Sequence, residues 1–329
     1  MNTAVKHLLF GLASYTPLAN LISKNTSRKT GGGGGSSDLA RYCYSVWLRH
    51  LVSLFKHGNI TEMPKVIAEL GPGNSIGVGI AALLSGANHY YAFDVVEYSL
   101  LEKNIEILDE LISLFKRRES IPDDLEFPKI KPKLASYDFP QDILSEDILN
   151  LSLSDDRLNA IRNALLGQDT SNMVSIKYCA SWNGTDKIVD KSVDLIFSQA
   201  VLEHVDDLLT SYKSMYKWLR PKGFMSHQID FKCHGTANTW NGHWAYSDFW
   251  WKLIRGRRPY LLNREPYSTH VKLQEEVGFK ILNSIKVQGD NCGNISGINR
   301  VKLARRFINI SDEDLCTSGA YITSVKRTI

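Results

Sequence analysis

The stretch VIAELGPGNSIGVGIA, residues 66–81, constrains the fold more than any other part of the chain. An apolar run ends at an acid, turns through two glycines and resumes as an apolar segment of small residues. That pattern predicts a buried strand, a tight turn whose backbone can approach a ligand, and the start of a helix. The alternation continues along the chain. HYYAFDVV, VSIKYCA, SVDLIFSQ, FMSHQIDF, KILNSIKV and GAYITSVKR read as further strands, with helical patterns between most of them. Strands alternating with helices predict an α/β fold, a doubly wound sheet covered on both faces.

Two stretches break the alternation and read as helical insertions. Residues 119–172 are polar, with prolines at 122, 128, 132 and 140 and a helix near 154–166, and could cap a site. Residues 232–267 hold Trp240, Trp244, Trp250 and Trp251. Ahead of the first strand, residues 1–58 read as an N-terminal helical segment interrupted by the linker SRKTGGGGGSSD, and 59–329 as the main domain. Asp38 or Ser37 can cap the helix LARYCYSVWLRHLVSLFKHG. Pro221 and Gly223 are expected to stop the helix VDDLLTSYKSMYKWLRPKG.

The net charge of +4 over 329 residues, without a long basic block, argues against a nucleic-acid partner. Five cysteines, at 43, 179, 233, 292 and 316, form no CxxC pair. This argues against a disulfide framework or a zinc site and favours a reducing, cytoplasmic setting. The first residues, MNTAVKHLLFGLASYTPLANLISK, are too interrupted by polar residues to span a bilayer. They read as a short helix packed on the domain, or as a weak contact with a membrane surface.

What ligand does the glycine turn suit? Asp94 lies 21 residues beyond Gly73 at the end of the second strand, where a carboxylate can accept both hydroxyls of a ribose. A dinucleotide is one reading, which would make the chain an NAD-dependent oxidoreductase. The GxGxxG fingerprint, however, is missed by one residue, since Ile76 stands where the third glycine belongs. Glu69 before the first glycine would repel a pyrophosphate and would attract an ammonium group.

ELGPGNS, FDV and SVDLIFSQAVLEHVDDLLTSYKSMYKWLRPKGF together resemble the class I S-adenosylmethionine-dependent methyltransferases, in the branch that acts on small molecules. The tail, EEVGFKI and GAYITSVKR, is similar to that family's sixth strand and antiparallel seventh. The resemblance implies a Rossmann-like seven-stranded sheet and S-adenosyl-L-methionine as cofactor. It implies Glu69 and Gly71 by the methionine tail, Gly73 by the ligand's backbone, Asp94 on the ribose and Val95 against the adenine. Ser198 and Gln199 would line the sulfonium side. Two positions depart from the family: Ser75 replaces a glycine, and Cys179-Ala180 replaces the frequent acid–alanine pair. Ala180 would then back the adenine, whose amine is left to backbone or to Ser181.

No (D/N)PP(Y/F) motif follows the fourth strand, which disfavours methylation of nucleic-acid bases. A small-molecule or glycan-type acceptor remains, and a looser resemblance to bacterial methyltransferases encoded among surface-polysaccharide genes leans towards the glycan. Methyl transfer needs in-line placement and removal of a proton from the acceptor. His204, Asp230 and His234 are the candidates for that role, while His227, inside a strand, reads as a packed histidine. HxxDxxxH does not align for a metal on a strand, so no metal is expected. A non-catalytic adenosyl-binding protein of the same fold is the alternative. The tryptophans read as core or as a stacking platform for the acceptor, with Arg257 and Arg258 near an anionic group. Arg41, Tyr42, Tyr44 and Trp47 are expected to close over the donor on the glycine hinge 31–35.

Overall fold

A computed structural model describes residues 3–16, 36–58, 60–95, 101–168, 173–180, 188–258, 261–289, 298 and 300–328. The seven expected strands are β1 (Val66–Leu70), β2 (His89–Asp94), β3 (Ser175–Ala180), β4 (Val193–Gln199), β5 (Leu219–Asp230), β6 (Phe279–Gln288) and β7 (Thr317–Lys326). They form one sheet in the order β3-β2-β1-β4-β5-β7-β6, with β7 antiparallel to both its neighbours. The order reverses between β1 and β4, so their carboxyl ends flank the crevice where a doubly wound sheet takes its ligand.

Helices cover both faces. On one side lie α2 (Ala40–Gly58), α3 (Gly77–Leu84), α4 (Leu101–Lys116) and α6 (Asp155–Leu165), preceded by the short α5 (Glu146–Ser152). On the other lie α7 (Leu208–Trp218) and α9 (Tyr267–Val277). Strand alternation divides the core accordingly: Ile67, Leu195 and Phe197 face the α2–α3 layer, and Ala68, Leu70, Ile196 and Met225 the α7–α9 layer. The remaining helices are α1 (Thr3–Ala13), α8 (Asp248–Arg255) and α10 (Asp312–Cys316). Among the described residues no helix is long and apolar enough to cross a membrane.

Several sequence expectations change. Helix α7 ends at Trp218, before Pro221 and Gly223, because the buried Lys326 Nζ donates to the Tyr216 and Leu219 carbonyls at its end. Pro221 and Gly223 instead lie at a bulge early in β5, where Val193 pairs with Leu219 but Leu195 with Phe224. The stretch after residue 119 does not cap the crevice; it wraps the outside of α2. Arg49, fully buried, gathers it by donating to the Pro122, Ile130 and Pro132 carbonyls and to Asp124 at 2.9 Å. Arg157 likewise donates to the Leu83 and Ala87 carbonyls at the end of α3.

The closing residues are also corrected. Tyr44 and Trp47 are fully buried in α2, donating to the Glu119 carbonyl at 2.7 Å and to Ser85 Oγ at 2.8 Å. Tyr42 packs edge-on against Phe127, and Arg41 forms a fork with Glu126. Tyr44 and Trp47 thus lie on the core side of α2, while Tyr42 and Arg41 are held by partners in the insertion, so all four are engaged within the fold. The hinge 31–35 lies outside the described residues. The cysteines differ too: Cys43, Cys179 and Cys233 are free thiols, but Cys316 is disulfide-bonded. Gly289 N donates to the Cys316 carbonyl at 2.8 Å, which brings the chain leaving β6 alongside it.

Replacing Arg49 by Met leaves three carbonyls and Asp124 without their shared donor. We expect a loss of about 3–5 kcal/mol in urea unfolding; a loss below about 1 kcal/mol would show that the wrap does not depend on this residue.

Candidate active site

The glycine turn follows β1 directly. Gly71 and Gly73 have φ of 64° and 77°, a conformation that glycine adopts without penalty. A Cβ on Gly71 would also stand 2.5 Å from Val201 Cγ2 in the loop after β4. The turn is braced from three sides. Gly71 N donates to the Phe93 carbonyl at 2.7 Å, Asn74 N to Ser37 Oγ at 3.0 Å, and Ile76 N to Asn104 Oδ1 at 3.1 Å. Ser75 Oγ donates to the Ser37 carbonyl, so the serine that replaces a glycine is used as a tie. Ser37 therefore serves the turn and does not cap α2, a long-range contact that local sequence cannot reveal. Gly77 and Gly79 are small because Cys43 and Ile107, and the ring of Tyr90, occupy the space beside them.

Glu69 lies beneath the turn, 3% exposed, on the α2–α3 side of the sheet. Tyr90 Oη donates to it at 2.6 Å. Burial pushes its carboxyl up to about 8, against the lowering effect of the Tyr90 bond. Asp94 ends β2, nearly buried, and accepts from Val95 N at 2.7 Å. Ala180, the last residue of β3, pairs with Asp94 across the ladder. Ser181 lies outside the described residues.

Ser198 and Gln199 do not act as a pair. Consecutive strand residues point to opposite faces. Ser198 Oγ lies 2.8 Å from His227 Nδ1 in the α7–α9 layer, fully buried. Gln199 turns to the other layer, where its Oε1 lies 3.1 Å from His50 Nε2. The Ser198 side chain thus does not line the donor side. His50 was not anticipated. Its Nδ1 lies 2.7 Å from Ser226 Oγ, which lies 2.6 Å from Tyr321 Oη, and Gln199 donates on to Gln228. This buried polar chain ties α2 to β4, β5 and β7. Burial lowers the His50 ring to about 4, so it is neutral. Its place among Trp47, Leu51 and Leu54 on one helical face marks it as a core residue in the sequence.

His204, Asp230 and His234 come together. His204 closes a short 3-10 turn, Leu202–His204, after β4. Asp230 ends β5, and His234 follows in the next loop at φ 45°. His234 Nε2 lies 3.3 Å from Asp230 Oδ2, and the His204 and His234 rings are 5.3 Å apart. Burial pushes the Asp230 carboxyl up, but the His234 bond and the Lys232 amide outweigh it and hold it below its ordinary value. Beside them Glu203 is 2% exposed with no side-chain partner, and burial pushes its carboxyl well up. A small cleft here is lined by Glu203, Asp230, Lys232, Asn263, Arg264 and Glu265. His227 stays apart as a packed histidine.

Of the tryptophans, Trp244 and Trp251 are core and Trp240 is packed edge-on against Trp244; only Trp250 is exposed. They form no platform at the cleft. Arg264 N–H groups hold this insertion to the Tyr246 carbonyl and Asp248, while its guanidinium lies over the Trp251 ring at 4.8 Å.

The strand order with its antiparallel β7 is that of the class I fold, and residues 138–226, from ahead of β3 into β5, match the family model described as Methyltransferase domain. That match spans about a quarter of the chain and lies on a Rossmann-like seven-stranded sheet. The acidic, glycine-lined crevice at β1 and β2 has room for backbone approach at Gly71 and Gly73 and carries the carboxylates of Glu69 and Asp94. Among solved structures, the chain is similar to an S-adenosylmethionine-dependent methyltransferase from Mesorhizobium loti (12% identity over 84% of this chain and 96% of that one, TM-score 0.40). It is also similar to phosphoethanolamine N-methyltransferase 2 of Haemonchus contortus in complex with S-adenosyl-L-methionine (13%, 86% and 53%, TM-score 0.42). A methyltransferase from Methanosarcina mazei is a third (12%, 82% and 96%, TM-score 0.40). No curated protein matches this chain.

Because the folded Glu69 carboxyl is raised, the folded protein keeps a proton that the unfolded chain releases between pH 4.5 and about 8. Its contribution to stability therefore falls as pH rises through that window and is level below it. Glu69→Gln should remove that fall, a difference on the order of a few kcal/mol across the window. Urea unfolding at several pH values checks this; parallel curves for the two proteins would contradict it.

Proposed function

We propose that this protein is an S-adenosylmethionine-dependent methyltransferase that transfers a methyl group to an oxygen or nitrogen of a small-molecule or glycan-type acceptor, with His234 as the proton acceptor. The observation that carries this is the convergence of His204, Asp230 and His234 at the carboxyl ends of β4 and β5. The donor supplies an electrophilic methyl group when bound. Asp230 accepts the His234 Nε2 proton, which fixes the tautomer and leaves Nδ1 with a lone pair. Nδ1 takes the acceptor's proton as its oxygen or nitrogen bonds the methyl carbon, and the sulfur leaves with its electron pair. The positive charge that arises on the imidazole is stabilised by Asp230. His204 flanks the same space and orients the acceptor.

For the donor, the glycines of the turn give the methionine end access to backbone amides, and Glu69 supports them from beneath. Asp94 receives the ribose hydroxyls, Val95 and Ala180 border the adenine, and Gln199 stands on the sulfonium side. The resemblance in sequence to polysaccharide-associated methyltransferases supports the glycan-type arm.

Transfer of labelled methyl groups to glycan and metabolite extracts tests this. We expect product with the wild type and a loss of about 10²–10⁴-fold in kcat for His234→Ala, with donor binding by calorimetry unchanged. Donor binding without transfer to any acceptor would instead indicate a non-catalytic adenosyl-binding protein.

A further inference from the structure

Helix α1 is clamped on α8 through a stripe of His7, Leu8, Gly11 and Ser14. Gly11 has no side chain because the Leu253 and Ile254 carbonyls occupy that space, and Ser14 Oγ accepts from Arg257 N at 2.7 Å. The two helices therefore form one unit, yet its outer surface is apolar. Val5, Leu9 and Leu12 repeat at helical spacing and are exposed, as are Phe10, Phe249 and Trp250. All the exposed large aromatic residues among the described ones lie on this unit or directly after α1, at Tyr15.

The acids on and beside it, Asp248 and Asp206, are paired with Arg264 and Arg306 and with Arg255, and the charges left unpaired have one sign. Lys6, Lys252 and Arg257 have no acidic partner among the described residues, and the Arg257 guanidinium lies over the Tyr15 ring at 5.1 Å. The first acid of the chain is Asp38; Lys6, Lys24, Arg28 and Lys29 precede it and equal the whole net charge of +4. Aliphatic and aromatic side chains ringed by unpaired cations suit the interface of an anionic bilayer, where rings sit among headgroups and cations meet lipid phosphates. Helix α1, with 11 residues, is too short to span it. A dimer interface of the same apolar area would bring these cations against their own copies.

We propose that the exposed face of α1 and α8 docks the protein on an anionic phospholipid surface. The His7 ring, on the inner side of α1, lies against the Gly235 backbone, so the helix adjoins the loop carrying His234. The proposal does not depend on which acceptor that loop serves.

Sedimentation of the full chain with phosphatidylcholine vesicles containing phosphatidylglycerol tests it. We expect binding that weakens with salt, a blue shift of Trp250 emission that is absent in Trp250→Phe, and binding weakened about fivefold by Lys252→Ala. Leu9→Glu with Phe249→Glu should lower binding at least about tenfold, with Tm and donor binding unchanged; both residues are exposed, so the fold is retained. No binding to these vesicles, binding indifferent to the substitutions, or a concentration-dependent dimer abolished by them would overturn the proposal.

Discussion

The turn between β1 and α3 governs the rest of the molecule, because its left-handed glycines are held by partners from distant parts of the chain. Phe93 on β2, Asn104 on α4 and Ser37 ahead of α2 each take one of its amide protons. The turn is thus built before any ligand arrives, and its entropy cost is met within the fold. Glu69 adds an acid that burial keeps largely neutral, beneath the turn where we propose that the donor binds.

Polar groups buried elsewhere obey the same logic. His50, Ser226, Tyr321, Gln199 and Gln228 form one chain across three strands and α2, so none is left to face the core alone. Helix α2 is thereby registered against the sheet, and Arg49 uses its outer side to gather the insertion. The glycine-lined crevice and the His204–Asp230–His234 cluster sit at the carboxyl ends of strands fixed in this way.

The strands, the crevice and the approach of Asp94 to it were legible, because period-two patterning and turn glycines are local signals. The His204–Asp230–His234 meeting was legible only as three candidates, since β4 and β5 had to be neighbours to join them. What sequence could not show was side-chain direction over distance. Ser198 and Gln199 are adjacent in sequence yet serve opposite layers, and Tyr44 and Trp47 look like gate aromatics until α2 is placed on the core. The end of α7 escapes a local reading because its cap, Lys326, comes from the last strand. Ser37 is one of two cap candidates for α2 in the sequence because its partner in the fold, Asn74, lies 37 residues away.

Hydrogen exchange with and without S-adenosylhomocysteine tests the central claim most directly, that the donor occupies the crevice at β1, β2 and the glycine turn. Slower exchange in peptides covering Leu70–Ile76 and Phe93–Val95, with residues 241–255 unchanged, is the result this account predicts. Bound ligand without protection of the turn, or protection confined to the second insertion, would contradict it.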